Sequence, residues 1–182
     1  MEKTQKINTR QLTLVGVMAA VTCILGPLSL PIGVIPISLT NLVIYFAVYV
    51  LGRKRATLSY TVYLFIGLIG LPVFSGFSGG FTKLFGPTGG YLIGVIFMAF
   101  ISGIFIDKFS SKTYMCFLGM ILGTITTYIF GTAWLAYQAH LTFYAALAVG
   151  VLPFIPGDIV KMVIASFIGP QIKKRLISSG LH

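Results

Sequence analysis

Length, composition and charge place this chain in a lipid bilayer. Its 182 residues are 57% hydrophobic and only 9% charged, and the mean hydropathy is +0.97. A soluble domain averages about 25% charged residues, so this chain lacks the polar surface that keeps a domain in water. The composition excludes a soluble domain and predicts an integral membrane protein.

The apolar sequence divides into six predicted helices. They cover about residues 12–25, 39–51, 56–71, 91–106 and 114–137, with a sixth that begins after Pro153 or Pro156 and runs to about residue 172. The run between the first two, residues 26–39, contains three prolines and is not one straight helix. Some helices are shorter than the roughly 20 residues of a straight span, which is tolerated where irregular backbone lines a cavity. We expect an all-α membrane protein with six transmembrane helices and one domain, residues 1–182.

Basic residues occur on alternate connections between these helices. Eleven of the 13 Lys and Arg residues lie in residues 1–10, 53–55, 108–112 and 173–182, which the six-helix topology puts on one side. The positive-inside rule makes that side cytoplasmic, so residues 1–10 form a cytoplasmic head and residues 173–182 a cytoplasmic tail. This orientation accounts for the net charge of +10, and the clusters are too short and scattered for a nucleic-acid surface.

Three charged residues remain for the outer half of the protein: Lys83, Asp158 and Lys161. The spacing of Asp158 and Lys161 puts both on one helix face, where they can contact each other or share a ligand. An ionised group at the bilayer centre costs about 2.5–3.5 kcal/mol on insertion scales, so such groups usually face a cavity. In the alternative interpretation, Asp158 caps a helix opened by Pro156 and Gly157, and Lys161 neutralises it.

A glycine-rich segment, residues 72–90, follows the third helix and reads PVFSGFSGGFTKLFGPTGG. Its glycines allow close backbone approach to a ligand, and its aromatic residues supply flat apolar walls. It does not match a phosphate-binding loop, because Lys83 falls between the glycines instead of after the second one. We interpret the segment as an external lid.

No pattern indicates catalysis or a metal. Cys23 and Cys116 lack metal-ligand spacing and are interpreted as small buried hydrophobic residues. An intramembrane enzyme would need a nucleophile–base pair or a metal cluster, whereas the outer half holds one carboxylate and the predicted helices hold no histidine. We therefore predict no catalytic residue, no metal ligand and no cofactor.

Two motifs carry a resemblance to a known family. The stretches GPTGGYLIG (residues 86–94) and FIPGDIVKMVIA (residues 154–165), in a six-span chain of this length, resemble the BioY family of biotin-binding S components of energy-coupling factor (ECF) transporters. The resemblance covers nearly the whole chain, including IPISLTN (residues 35–41). It implies a transport subunit of a bacterial cell membrane that binds biotin from outside and is not an enzyme.

The resemblance also implies partners. Family members dock onto a transmembrane T component that is coupled to two ABC-type ATPase subunits, and an alanine-x-x-x-alanine pattern on the first helix forms part of the docking surface. The matching positions in this chain are Gly16 and Ala20. Glycine at the first position still permits close helix packing.

Biotin's chemistry can be matched to the residues. Asp158 is the natural acceptor for the ureido N–H groups, Asn41 can donate and accept, and Lys161 can donate to the ureido carbonyl or neutralise Asp158. Tyr91 and Phe85 (or Phe81) would flank the rings. The biotin carboxylate would bind Lys83, with the lid backbone or Thr88 as alternatives. The predicted binding residues are Asp158, Lys161, Asn41, Tyr91, Lys83, Phe85, Thr88 and Gly90.

Two other transport functions fit the same sequence. One is an S component for a different vitamin, such as thiamine or riboflavin. The other is a self-sufficient vitamin carrier that works as an oligomer without ATPase subunits.

Overall fold

The structure, a computed structural model, describes residues 9–30 and 36–179, and this part of the chain is mostly helical. The helices are α1 (Thr9–Leu25), α2 (Thr40–Leu68), α3 (Phe81–Leu84), α4 (Gly89–Lys108), α5 (Thr113–Gln138), α6 (Phe143–Gly150) and α7 (Ile155–Ser178). Two short antiparallel strands, β1 (Ser29–Leu30) and β2 (Ile37–Ser38), pair Ser29 with Ser38 and Leu30 with Ile37. The predicted helical class is confirmed. Most of the predicted head (residues 1–8) and the end of the predicted tail (residues 180–182) lie outside the described residues.

Helix α2 contains the second and third predicted helices, joined at Gly52. Gly52 has φ 74° and ψ 171°, a backbone conformation that glycine adopts without steric cost. The Arg53 backbone N–H donates to Asp107 Oδ2 at 3.0 Å, which satisfies one of the free N–H groups at the start of the second half. The expected basic loop is therefore a single-residue kink, and residues 53–55 are helical.

The C-terminal boundary of the last helix also differs from the prediction. Helix α7 runs to Ser178, so residues 173–178 of the expected tail continue the helix. Lys and Arg are good helix formers. The basic residues 173–175 therefore indicate where the helix leaves the membrane, but they do not end it. Helix α6 has no predicted counterpart; the Thr142 hydroxyl caps it by accepting from the Ala145 N–H at 3.3 Å.

The helices pack closely through small residues. Helix α5 packs along α4, while α2 contacts α1, α4 and α7. A Cβ added to Gly94 would lie 2.9 Å from Thr127 Cα, and one added to Gly123 would lie 2.9 Å from the Met98 carbonyl oxygen. Small residues at such contacts let helix backbones approach each other within a membrane.

The outer surface of the bundle is apolar. Helices α4, α5 and α7 are each long and apolar enough to cross a membrane. Large side chains such as Phe97, Phe100, Ile129, Phe130 and Phe167 are exposed on them. Extended exposed apolar surface of this kind marks contact with lipid or a partner. The chain is a membrane protein.

The glycine-rich segment is packed onto the bundle. Phe74 is fully buried and contacts the Tyr63 ring edge-on at a centroid distance of 5.5 Å. At the other end of the segment, Trp134 Nε1 donates to the Gly86 carbonyl at 2.9 Å and Gln138 Nε2 to the Phe85 carbonyl at 2.7 Å. Both ends of the segment are thus held against neighbouring helices.

Candidate ligand-binding cavity

A cavity that is partly open to solvent lies between α2, α4, α5 and α7. Aromatic and hydroxyl-bearing side chains dominate its wall, and one buried ion pair interrupts it. The lining residues are Pro36, Ser38, Thr40, Asn41, Tyr60, Tyr63, Ser75, Thr88, Tyr91, Leu92, Val95, Thr127, Tyr128, Gly150, Phe154, Asp158 and Lys161. A mostly apolar wall with a few convergent polar groups is typical of a small-molecule site.

Asp158 is the centre of the polar part of this cavity. It lies in the first turn of α7, and only 3% of its surface is exposed. Its carboxylate accepts hydrogen bonds from the Tyr128 hydroxyl at 2.6 Å and from Lys161 Nζ at 3.0 Å. Asn41 Nδ2 lies 3.4 and 3.5 Å from its two oxygens. The N-cap residue of α7 is Phe154, so Asp158 is not at the capping position, but its pairing with Lys161 is what the alternative interpretation also expects.

The Asp158–Lys161 pair retains hydrogen-bonding capacity for a ligand. A carboxylate offers about four lone-pair sites, and the two Asp158 oxygens accept four hydrogen bonds, but the two from Asn41 are long, at 3.4 and 3.5 Å, so a ligand donor can replace one of them. Lys161, 8% exposed, directs one of its three N–H groups to Asp158. The pair is neutral as a unit, so it adds a strong donor and a strong acceptor to the cavity without net charge. Removing either partner would leave an uncompensated buried charge.

Tyr128 was not identified from the sequence. Its hydroxyl makes the shortest hydrogen bond to Asp158 and thereby links α5 to α7. A polar stripe on α5 was the available signal: Thr124, Thr127, Tyr128, Gly131 and Thr132 recur at intervals of three or four residues, which places them on one helix face.

Tyrosine rings form the walls of the cavity, and their hydroxyls are largely satisfied by the protein. The Tyr60 hydroxyl donates to the Leu92 carbonyl at 2.9 Å, and the Tyr63 hydroxyl donates to the Val73 carbonyl at 3.0 Å. The Tyr91 hydroxyl lies 3.5 Å from Thr132 Oγ1. These rings therefore face the cavity as apolar surfaces, which suits flat or cyclic ligand groups.

The structure brings five of the eight predicted binding residues to the cavity: Asp158, Lys161, Asn41, Tyr91 and Thr88. Lys83, Phe85 and Gly90 are not among its lining residues. Lys83 is partly buried in α3, which lowers the pKa of its ammonium group. Phe85 is exposed, and its ring stacks on the Phe81 ring at a centroid distance of 6.1 Å. Gly90 packs directly against Trp134. That Lys83, Phe85 and Gly90 contact a ligand stays a prediction, because none of them lines the cavity.

The fold and site define a class: a helical membrane protein that encloses a small-molecule cavity. A model of the BioY family matches residues 1–178. The chain belongs to the BioY family.

Curated relatives match nearly the whole chain. It is 36% identical over 165 residues to the biotin transporter BioY of Thermotoga maritima, spanning 91% of this chain and 96% of the relative. It is 32% identical over 172 residues to the biotin transporter BioY2 of Lactococcus lactis subsp. cremoris, spanning 94% of each. A crystal structure of the S-component for biotin from an ECF-type ABC transporter matches with a TM-score of 0.84 and 35% identity, covering 96% of this chain and 95% of that one.

Proposed function

We propose that this chain is the biotin-binding S component of an ECF-type importer. It captures biotin outside the cell and delivers it through a T component that two ATPase subunits drive. The buried Asp158–Lys161 pair in the cavity wall is the observation that carries the proposal. The biotin transporters and the biotin S-component to which the chain is similar support it.

The ureido group of biotin matches the ion pair. One ureido N–H donates to an Asp158 oxygen in place of the longer of the two Asn41 contacts, and Lys161 donates to the ureido carbonyl. Hydrogen bonds to charged groups contribute about 1.5–3 kcal/mol each, and the buried site shields them from water. Asn41, which already approaches both Asp158 oxygens, holds the carboxylate in position.

The remaining parts of biotin match the rest of the wall. The bicyclic ring lies between the Tyr91 and Phe154 rings. The carboxylate needs donors, and hydroxyl groups of the β2–α2 segment and the lid supply them at Ser38, Ser75 and Thr88, all of which line the cavity. Lys83 lies beyond this lining and serves at most as a nearby positive charge.

The bundle crosses the cell membrane six times, with both termini in the cytoplasm. The spans are α1, the two halves of α2, α4, α5 and α7. Two of the basic clusters are neighbours, because Arg53 bonds to Asp107 beside Lys108. The lid, at the opposite ends of these helices, then faces outside, where biotin enters.

A direct binding assay tests the proposal. Purified protein should bind labelled biotin saturably at sub-micromolar concentration, and excess thiamine or riboflavin should leave that binding unchanged. Absence of biotin binding together with binding of another vitamin would overturn the assignment. Biotin uptake by cells that lack the ATPase subunits would instead identify a self-sufficient carrier.

The surface for the T component lies on α1. Gly16 and Ala20 are both exposed, and a Cβ on Gly16 would meet nothing within 4 Å. The larger apolar side chains of Val17 and Ile24 are exposed next to these small residues on the same helix. The small residues Gly16 and Ala20, one helical turn apart, form a strip that lets a second helix approach closely, and the apolar residues beside it can pack against that helix.

Replacing Gly16 by leucine should leave biotin binding intact but impair assembly with the T component, because a branched side chain fills the strip. Co-purification of the tagged chain with the T component measures assembly. Ala133→Leu, at an exposed position of α5, adds a side chain of the same size elsewhere and serves as the control. Normal assembly of the Gly16 variant would show that docking uses another face.

A further inference from the structure

A second cleft lies at the end of the bundle opposite the lid, between α2, the turn before α5 and the end of α7. It holds about 700 Å³ of space, much of it open to solvent. Its lining residues are Tyr49, Ser110, Pro170, Lys173, Lys174, Ile177 and Ser178. None of them lines the cavity around Asp158. The cleft is therefore separate from the proposed biotin site.

Tyr49 gives this cleft an unsatisfied polar group. Only 1% of its surface is exposed, and its hydroxyl is a buried side-chain polar atom without a hydrogen-bond partner among the described residues. The nearby Cys116 sulfur interacts with this hydroxyl, and the Cys116 thiol itself donates to the Phe109 carbonyl at 3.3 Å. Sulfur is a weak hydrogen-bond acceptor, so the Tyr49 hydroxyl keeps the capacity to donate to a stronger acceptor on a ligand.

Two lysines give the cleft its charge. The α7 residues that line it are spaced by three or four positions from Pro170 to Ser178, so they share one helix face. Neither Lys173 nor Lys174 forms a salt bridge with any residue in the described part of the chain. The C-terminal end of a helix carries roughly half a negative charge, which two ammonium groups outweigh.

We propose that this cleft binds the phosphate group of an anionic phospholipid. Lys173 and Lys174 balance its charge, and the Tyr49 and Ser110 hydroxyls donate to its oxygens. Pro170 and Ile177 contact the glycerol and the upper part of the acyl chains. Free phosphate offers the same anionic chemistry but leaves these apolar residues uncovered. The proposal rests on the six-span orientation and is independent of biotin binding.

Titration of the purified full chain with short-chain lipids in detergent tests this site. Dioctanoyl phosphatidylglycerol should raise the unfolding temperature, whereas dioctanoyl phosphatidylcholine should not. The Lys173→Gln/Lys174→Gln variant should bind phosphatidylglycerol about tenfold more weakly, since each lysine contributes modestly to anionic-lipid binding. Tyr49→Phe should weaken binding by about threefold through one lost hydrogen bond. Biotin affinity should stay unchanged in all variants.

Lys108→Gln/Lys112→Gln is the charge-matched control, because it removes two positive charges from the same end of the bundle but outside this cleft. If both double variants lost affinity for phosphatidylglycerol equally, the loss would come from the lower net positive charge of this end of the bundle. That result would overturn the proposed site. Saturation by inorganic phosphate at the same site would overturn the lipid assignment in favour of a free anion. If the lysine variant fails to fold, the affinity of the Tyr49→Phe variant for phosphatidylglycerol tests the site in its place. An unchanged affinity in that variant would overturn the proposal.

Discussion

Replacing Asp158 by asparagine is expected to weaken biotin binding by at least tenfold while the protein still inserts and folds. The amide retains one oxygen acceptor, so the hydrogen bonds from Tyr128 and Lys161 can persist in part. It lacks the negative charge that strengthens the bond to the ureido N–H. A tenfold loss corresponds to about 1.4 kcal/mol, within the range for a hydrogen bond to a charged group. Labelled-biotin binding to the purified variant measures the effect.

A double variant separates binding from stability. Asp158→Asn leaves the Lys161 ammonium buried without its counter-ion, and breaking a buried pair is destabilising. Asp158→Asn/Lys161→Met removes that ammonium as well, so the double variant should be at least as stable as the single one yet still bind biotin poorly. Poor insertion combined with normal biotin affinity in the surviving protein would show that the pair is structural.

Replacing Gly90 by valine is expected to lower thermal stability strongly and to change the biotin affinity of the folded protein much less. A Cβ at this position would overlap the Trp134 side chain and lie 2.8 Å from the Phe130 carbonyl oxygen. The carbonyl belongs to the α5 backbone and cannot rotate away. Overpacking of a close contact costs about 1–3 kcal/mol. Thermal unfolding in detergent, followed by biotin binding below the transition, measures both quantities.

Gly16→Val provides the matched control for this substitution, because the same side chain at Gly16 meets nothing within 4 Å. The isolated control protein should keep nearly wild-type thermal stability, apart from the lower helix propensity of valine. An unchanged unfolding temperature of the Gly90 variant, together with lost biotin binding, would instead indicate a direct ligand contact. That outcome would support the prediction, made from the sequence motif, that Gly90 contacts biotin.

Charged residues carried most of the functional prediction because they are so rare in this chain. In an apolar bundle, a carboxylate and a lysine three residues apart on one helix need a polar cavity, so Asp158 and Lys161 could be identified without any structure. Helix periodicity predicts that they face the same way, and they do pair at 3.0 Å. Composition likewise required a membrane, since 9% charged residues cannot cover a soluble surface.

Side-chain direction in irregular backbone could not be derived in this way. Between residues 72 and 90 no helical or strand period relates one side chain to the next, so Lys83 and Phe85 looked as suitable for ligand contact as Thr88. The packing of the segment separates them: Thr88 lines the cavity, whereas Lys83 lies on α3 and Phe85 directly follows it.

Membership of the membrane class and the choice of Asp158 and Lys161 follow from the amino-acid sequence alone, because burial of charge in lipid is costly wherever the chain folds. The partners of Asp158 follow only from the tertiary structure. Tyr128 is 30 residues away and Asn41 is 117 residues away, and no local pattern relates them to it. Helix packing brings α2, α5 and α7 together around one carboxylate, and that packing forms the proposed ligand site around the ion pair.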